Sequence, residues 1–216
     1  MSKLPKYVGQ KIIIMKTEKH FELTSETKIN ALGVTLFRIR CTVAIDRHNV
    51  KVGDLGGWVE SEEVDGDARM SGDAWVYGDA EVFGDARVCG NARVCGNAWV
   101  YGDAEVFGDA EVCGNARVCG NARVCGNAWV CGDARVCGNA WVFGNADHCG
   151  FDCFGSANRH THAYKTLSGA VEITCGCFRG TVSEFEKQVE ETHKNTVFEK
   201  QYKAIIEVIK IKFGIK

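Results

Sequence analysis

From Val64 to Asp147 the chain keeps a six-residue beat: an aliphatic residue, a variable residue, glycine, Asp or Asn, alanine and a second variable residue. Fourteen such hexads follow one another without a gap, and only Met70 replaces the leading valine. Ala92 and Val94 lie two apart, so in an extended segment both face one side while Arg93 and Cys95 face the other. Glycine and Asn or Asp tolerate positive φ and sharp bends. Each hexad therefore predicts a short strand followed by a corner. A strand of that length cannot bury its own apolar face, so the hexads must coil and stack with valine and alanine inside.

The flanks follow other patterns. "HFELT" and "VTLFRIRCTVAI" predict strands, and Gly53, Gly56 and Gly57 predict a bent backbone leading into the first hexad. Residues 1–63 are expected to form a β-rich cap over the open edge of the stack, residues 64–147 the solenoid, and residues 148–216 a small α+β module. In that module "HAYKTLSG" and "AVEITCGCF" predict a hairpin around Ser168 and Gly169. Ser183 and Glu186 have capping-box spacing, and Phe198, Tyr202, Ile205, Ile206, Ile209 and Phe213 trace one face of a final helix. The expected order is ββαα.

The unit V-x-G-[DN]-A-x is similar to the hexapeptide repeat of left-handed parallel β-helices, in which three hexads close one triangular coil. The resemblance covers the whole of residues 64–147. It implies a mainly β fold, a left-handed parallel β-helix between the amino-terminal cap and the carboxy-terminal α+β module. Residues eighteen apart then stack on one face. One column holds Tyr77, Cys95, Cys113, Cys131 and Cys149; the second Asp65, Phe83, Tyr101, Cys119 and Cys137; the third Ser71, Cys89, Phe107, Cys125 and Phe143. The stretch "GDLGGW", followed by an acidic segment, resembles the region before the hexads in phage and prophage hexapeptide-repeat proteins. That likeness implies a virus-associated origin and no catalytic activity.

Charge narrows the partners. The formal charge is −2 over 216 residues, but residues 64–147 carry 12 acidic and 6 basic side chains and no lysine. A duplex binder needs a basic stripe to neutralise phosphates, so nucleic acid is not expected as a partner. No apolar run approaches a membrane span, and the "IIIM" stretch is shorter than the core of a signal peptide. The expected location is the cytoplasm, that of the host cell if the chain is phage-encoded. The twelve cysteines are then expected to be thiols.

Seven of those thiols, Cys89, Cys95, Cys113, Cys119, Cys125, Cys131 and Cys137, occupy the position after the valine, which predicts the outer surface. Tyr77, Phe83, Tyr101, Phe107 and Phe143 hold the same slot. It therefore selects medium or large, mildly apolar side chains and not thiol chemistry. Zinc needs tetrahedral convergence, which parallel side chains on a flat face do not offer. In the carboxy-terminal module Cys149, Cys153, His160, His162, Cys175 and Cys177 could supply zinc ligands, but no pair has C-x-x-C spacing, and the choice between zinc and small buried thiols stays open. C-x-C within a strand would place Cys175 and Cys177 on one face. His20, His48 and His193 are expected at the surface.

The relatives of the hexapeptide repeat include acyltransferases, which need a histidine base and an acyl carrier between coils. Residues 64–147 contain no histidine, and His148 is the nearest candidate. No catalytic, cofactor-binding or metal-binding residue is assigned from the sequence, and no cofactor is expected. The expected function is a non-enzymatic, phage-related scaffold whose solenoid is a spacer or docking surface and whose terminal modules recognise a protein partner or a second copy. The alternatives are an acyltransferase-like protein and a small-molecule-binding sponge.

Residues 75–98 and 99–122 differ only at Arg87 and Glu111. This duplication spans four hexads, so it moves Trp99 to a different face from Trp75, and a specific pocket would not survive the rotation. Excising Val112 to Trp129, one full coil, should accordingly give a folded protein with the same far-UV circular dichroism per residue. Excising three residues should abolish cooperative unfolding, because a corner is misplaced.

Overall fold

The structure, a computed structural model, describes residues 19–64 and 67–215. From Trp75 to Val142 each hexad supplies a rung of two or three extended residues, and each rung up to Arg123–Val124 pairs in parallel with the rung one coil further on. Val76, Val94, Val112 and Val130 are in register on one side. Val82, Val100, Val118 and Val136 form the second side, and Val88, Val106, Val124 and Val142 the third. These three four-rung stacks make a parallel β-solenoid of four turns. Its backbone is satisfied from coil to coil: Cys95 N–H donates to the Val112 carbonyl at 2.9 Å, and Asn97 N–H to that of Gly114 at 2.8 Å. The alanines and valines point inward and form one continuous core, with Met70 fully buried among them.

The corners show how the third and fourth hexad positions divide their roles. Gly96 has φ +69°, and a Cβ there would lie 3.0 Å from both the amide nitrogen and the carbonyl oxygen of Gly114 in the next coil. Glycine is thus required twice, for the left-handed backbone and for close stacking. Among the described residues no hexad Asn or Asp takes positive φ. These side chains run up the corner as a ladder instead: Asn97 Nδ2 donates to Asn115 Oδ1 at 3.3 Å, and Asn115 Nδ2 to Asp133 Oδ1 at 2.9 Å. The expected backbone role of this position is therefore replaced by a side-chain one.

The first hexad does not enter the stack. Glu63–Val64 pairs antiparallel with Asp67–Ala68, and Met70 is the first repeat residue to meet the ladder, opposite Val88. Asp65 lies outside the described residues. The amino-terminal strands β1 (Phe21–Ile29), β2 (Thr35–Cys41) and β3 (Leu55–Val59) form an antiparallel sheet. Strand β3 then pairs in parallel with Glu81–Val82, so the cap and one solenoid face become a single seven-stranded sheet. The "GDLGGW" stretch makes this switch possible. A Cβ on Gly57 would lie 2.7 Å from the Ala80 carbonyl oxygen, and its absence lets Trp58 N–H reach that same carbonyl at 2.9 Å. Trp58 is covered by Lys28 and Arg38, whose charges sit 4.6 and 5.2 Å from its ring. His20, expected at the surface, is buried against Trp75 and donates from Nε2 to the Ala74 carbonyl at 2.7 Å.

The solenoid ends where the corner changes conformation. Gly144 is extended, with φ −170°, and leads into a short 3-10 turn at Asn145–Asp147. Four antiparallel strands follow, His148–Phe154, Arg159–Lys165, Val171–Cys175 and Phe178–Thr181, then α1 (Val182–His193) and α2 (Val197–Phe213). The module has four strands where the sequence suggests two, because residues 148–154 pair although the hexad pattern has decayed. In addition "AVEITCGCF" is broken by Gly176 at φ +61°. The hairpin around Ser168 and Gly169 is present, as is the buried face of α2 carried by Tyr202, Ile205, Ile206 and Ile209. Thr181 and Glu184, not Ser183 and Glu186, form the capping box of α1. His193 lies against Tyr202 and Phe198. The module is bonded to the last coil: the Arg135 carbonyl accepts from Thr174 Oγ1 at 3.1 Å and from His162 Nδ1 at 3.2 Å.

Stacking at the corners can be separated from backbone conformation. At Gly132 (φ +68°) a Cβ would meet nothing within 4 Å, so Gly132→Ala should cost only the left-handed penalty, about 1–2 kcal/mol. Gly96→Ala should cost more, since the Gly114 backbone must also move. Urea unfolding midpoints of the two variants measure the difference.

Candidate functional site

The outer slots form a second layer on the prism. In the first column Tyr77, Cys95, Cys113 and Cys131 follow one another on in-register rungs, and Trp129 Nε1 donates to Cys113 Sγ at 3.2 Å. The ligating atoms of Cys95, Cys113 and Glu111 lie within 4.8 Å of one another. Cys149, expected in this column, instead packs, partly buried, against the core of the carboxy-terminal module. In the second column Phe83 stacks on Tyr101 at 5.1 Å with nearly parallel rings, and Cys119 and Cys137 continue the line to the Tyr164 hydroxyl. In the third, Phe107 stands between Cys89 and Cys125.

All seven slots point away from the prism core, yet only Cys131 is exposed. Cys95 and Cys125 are buried, beside Tyr77 and Trp141, respectively. Burial pushes the Cys95, Cys125 and Cys131 thiols up. Cys119 moves the other way, lowered to about 6: the Cys137 thiol bonds to its thiolate, with Tyr101, Arg179 and Arg117 adding to the effect. Cys137 is correspondingly raised, chiefly by that shared bond.

One recess lies within the carboxy-terminal module and two where the solenoid meets its end units. A cleft of about 490 Å³ in the carboxy-terminal module is lined by Arg159, Phe178, Arg179, Phe185, His193 and Tyr202, among others. Beside it a polar groove of about 290 Å³ gathers Arg117, Arg135 and Arg159 with Asn115, Asp133 and His160. Arg117 and Arg135 are in register on adjacent rungs. Arg117 lies over the Trp99 ring at 4.7 Å, and Arg135 donates to the Gly176 carbonyl at 3.1 Å. Three guanidinium groups thus line one groove of an otherwise acidic solenoid. The eighteen-residue separation of Arg117 and Arg135 was the signal for it in the sequence; Arg159 arrives from the following module and could not be placed by the repeat. At the other end His48, Asp54, Leu55, Trp75, Tyr77 and Arg93 border a recess of about 390 Å³.

Among the described residues the six Cys and His residues of the carboxy-terminal module do not bring three ligating atoms within 4.8 Å of one another. His162 is buried, and its Nδ1–H donates to the Arg135 carbonyl, which leaves Nε2 to accept from His148 Nδ1 at 3.0 Å. His160 Nδ1 meets Asp152 at 2.5 Å, but its Nε2 is buried without a partner, against Gly150. Cys175 is buried and accepts from Thr161 Oγ1 at 3.3 Å. Cys153 and Cys177 are exposed. The turn at Gly176 separates Cys175 and Cys177, so the expected common face does not form. His148, the sequence candidate for a base, is bound to His162, and burial lowers its pKa.

A family profile described as the YdcK beta solenoid repeat matches residues 86–102 and 116–132. Both segments lie in the stacked hexads, so the similarity is to a β-solenoid repeat. No curated protein matches the chain.

The buried histidines set an acid limit. Desolvation, foremost, lowers His162 to about 3 and also lowers His20 and His148. These groups take up protons in the unfolded chain below its ordinary pKa of about 6.5 while the folded chain stays neutral. Their stabilisation is therefore complete above that pH and is lost as the pH falls toward 3. Thermal melts between pH 7 and 4 should show a falling midpoint. His162→Gln should be less stable at pH 7 and show a shallower fall.

Proposed function

We propose that the protein is a non-enzymatic scaffold in which the solenoid sets the distance between two end units, and the carboxy-terminal junction recognises an acidic segment of a protein partner. The observation that carries this reading is the groove of Arg117, Arg135 and Arg159. It joins the last coils to the first strands of the following module beside an apolar cleft. Guanidinium forks suit carboxylates, and neighbouring aromatic surface supplies anchoring area.

The side chains that could act as a general base are committed elsewhere. His160 and His148 hold their Nδ1 atoms in hydrogen bonds to Asp152 and His162, and the remaining Nε2 of each is buried in protein away from any substrate. This favours a scaffold over acyl transfer. The acidic solenoid face disfavours duplex nucleic acid. Among the described residues no helix is long and apolar enough to cross a membrane, and the twelve cysteines are unpaired; both support placing the protein in a reducing cytoplasm. The likeness of "GDLGGW" and its acidic sequel to phage and prophage repeat proteins supports a phage-related origin.

A fluorescent oligoglutamate peptide tests the groove. By anisotropy it should bind the full chain with an affinity that falls with salt, and Arg117→Glu with Arg159→Glu should weaken it at least tenfold, about 1.4 kcal/mol. Excising one coil, Glu81 to Ala98, leaves the groove residues and the Trp99 ring under Arg117 in place and should leave peptide affinity unchanged. Equal loss in the excised and charge-reversed proteins, or displacement of the peptide by a duplex oligonucleotide at equal charge, would overturn the proposal.

A further inference from the structure

The stacked thiols stand in pairs on adjacent rungs, a geometry that linear ions can use. We propose that adjacent cysteines on the outer columns, Cys119 with Cys137 and Cys95 with Cys113 and Cys131, bind soft monovalent d10 cations, Cu(I) above all, each ion held in line between two sulfurs. The inference rests on the register of the rungs and is independent of what docks at the carboxy-terminal groove.

In-register parallel rungs repeat at about 4.8 Å. A soft ion between two thiolates, with metal–sulfur bonds of about 2.3 Å, spans about the same distance. Two-coordination needs no further ligand, and Glu111, which lies near Cys95 and Cys113, is already paired with Arg93. Thiolate ligands suit Cu(I) as well as Zn, and two-coordination favours Cu(I). The register is direct: Arg117, Val118 and Cys119 pair with the rung of Trp99, Val100 and Tyr101, and Val118 pairs with Val136, the residue before Cys137. Val94, Val112 and Val130 bring Cys95, Cys113 and Cys131 into the same relation. The ligating atoms of Cys95 and Cys113 are within 4.8 Å of each other.

At Cys119 and Cys137 two thiols and one monovalent cation give a two-thiolate complex of charge −1 with loss of the thiol protons to solvent; in the other column three thiols and two cations release three protons and likewise keep one negative charge. At Cys119 and Cys137 that charge would sit near Arg117 and Arg179, whose fields already favour the Cys119 thiolate. In the other column Cys113 bridges two ions, and the Trp129 indole N–H already donates to its sulfur. Cys89 and Cys125 occupy the same slot type, but Phe107 separates them, so they supply an internal control.

The test uses the full reduced chain under argon, titrated with the acetonitrile complex of Cu(I) in the presence of a competing chelator. Native mass spectrometry counts the ions, and X-ray absorption reports their neighbours. The expected result is one retained ion per adjacent pair, each with two sulfur neighbours and no nitrogen or oxygen. Cys119→Ser with Cys137→Ser should lose one ion, Cys113→Ser both ions of its column, and Cys89→Ser with Cys125→Ser none. Cys119→Phe puts into the slot the residue found at Phe83, and it should lose the same ion as the serine variant while keeping the wild-type circular dichroism. Failure to retain Cu(I) against the chelator, ions with three or more ligands, or loss of as many ions from the Cys89 and Cys125 variant as from the others would overturn the proposal.

Discussion

Every feature of this molecule depends on the parallel hydrogen bonding of one short rung to the rung one coil away. A rung of two residues has no stability of its own; its amides and carbonyls are satisfied only by the coils before and after it. That requirement holds the register without slippage, since a shift of one residue would turn valine outward and the charged or aromatic neighbour inward. The uninterrupted Val and Ala columns, each residue almost wholly withdrawn from solvent, are its energetic consequence.

The same register creates the outer layer. Because each rung repeats its neighbour, the surface is a set of columns in which like stands above like: asparagine on asparagine at the corners, tyrosine on phenylalanine, thiol on thiol, and Arg117 beside Arg135. Stacked amides are mutually satisfying, whereas stacked cations are not, and a stacked pair of arginines calls for an aromatic face, a carbonyl or an anion. Trp99 and the Gly176 carbonyl serve the first two roles. The groove beside them is where the third would bind.

A solenoid also has two ends, and both are closed by antiparallel sheet. At the amino terminus β3 is antiparallel to β2 on one edge and parallel to the first coil on the other, which the paired glycines before Trp58 allow by admitting the Ala80 carbonyl. At the carboxy terminus the last coil is held by hydrogen bonds from Thr174 and His162 to a single carbonyl of Arg135. Recesses form at these junctions because a flat rung column meets a sheet of different direction.

The hexad beat determined the rung, its inside and outside, the core residues and the columns, because a two-residue periodicity repeated at fixed length admits one way to bury valine and alanine. It also carried the break of face between Trp75 and Trp99, which do lie on different sides of the prism. It did not determine which outward thiols are covered, since that depends on neighbours in the adjacent coil and beyond, such as Tyr77 and Trp141. Nor could local pattern recover the strand at residues 148–154 or the burial of His20, where pairing and packing with distant segments outweigh weak local preference. The arginine groove is of the same kind. Two of its guanidinium groups were visible as a spacing, but the third comes from a segment that tertiary docking alone brings alongside.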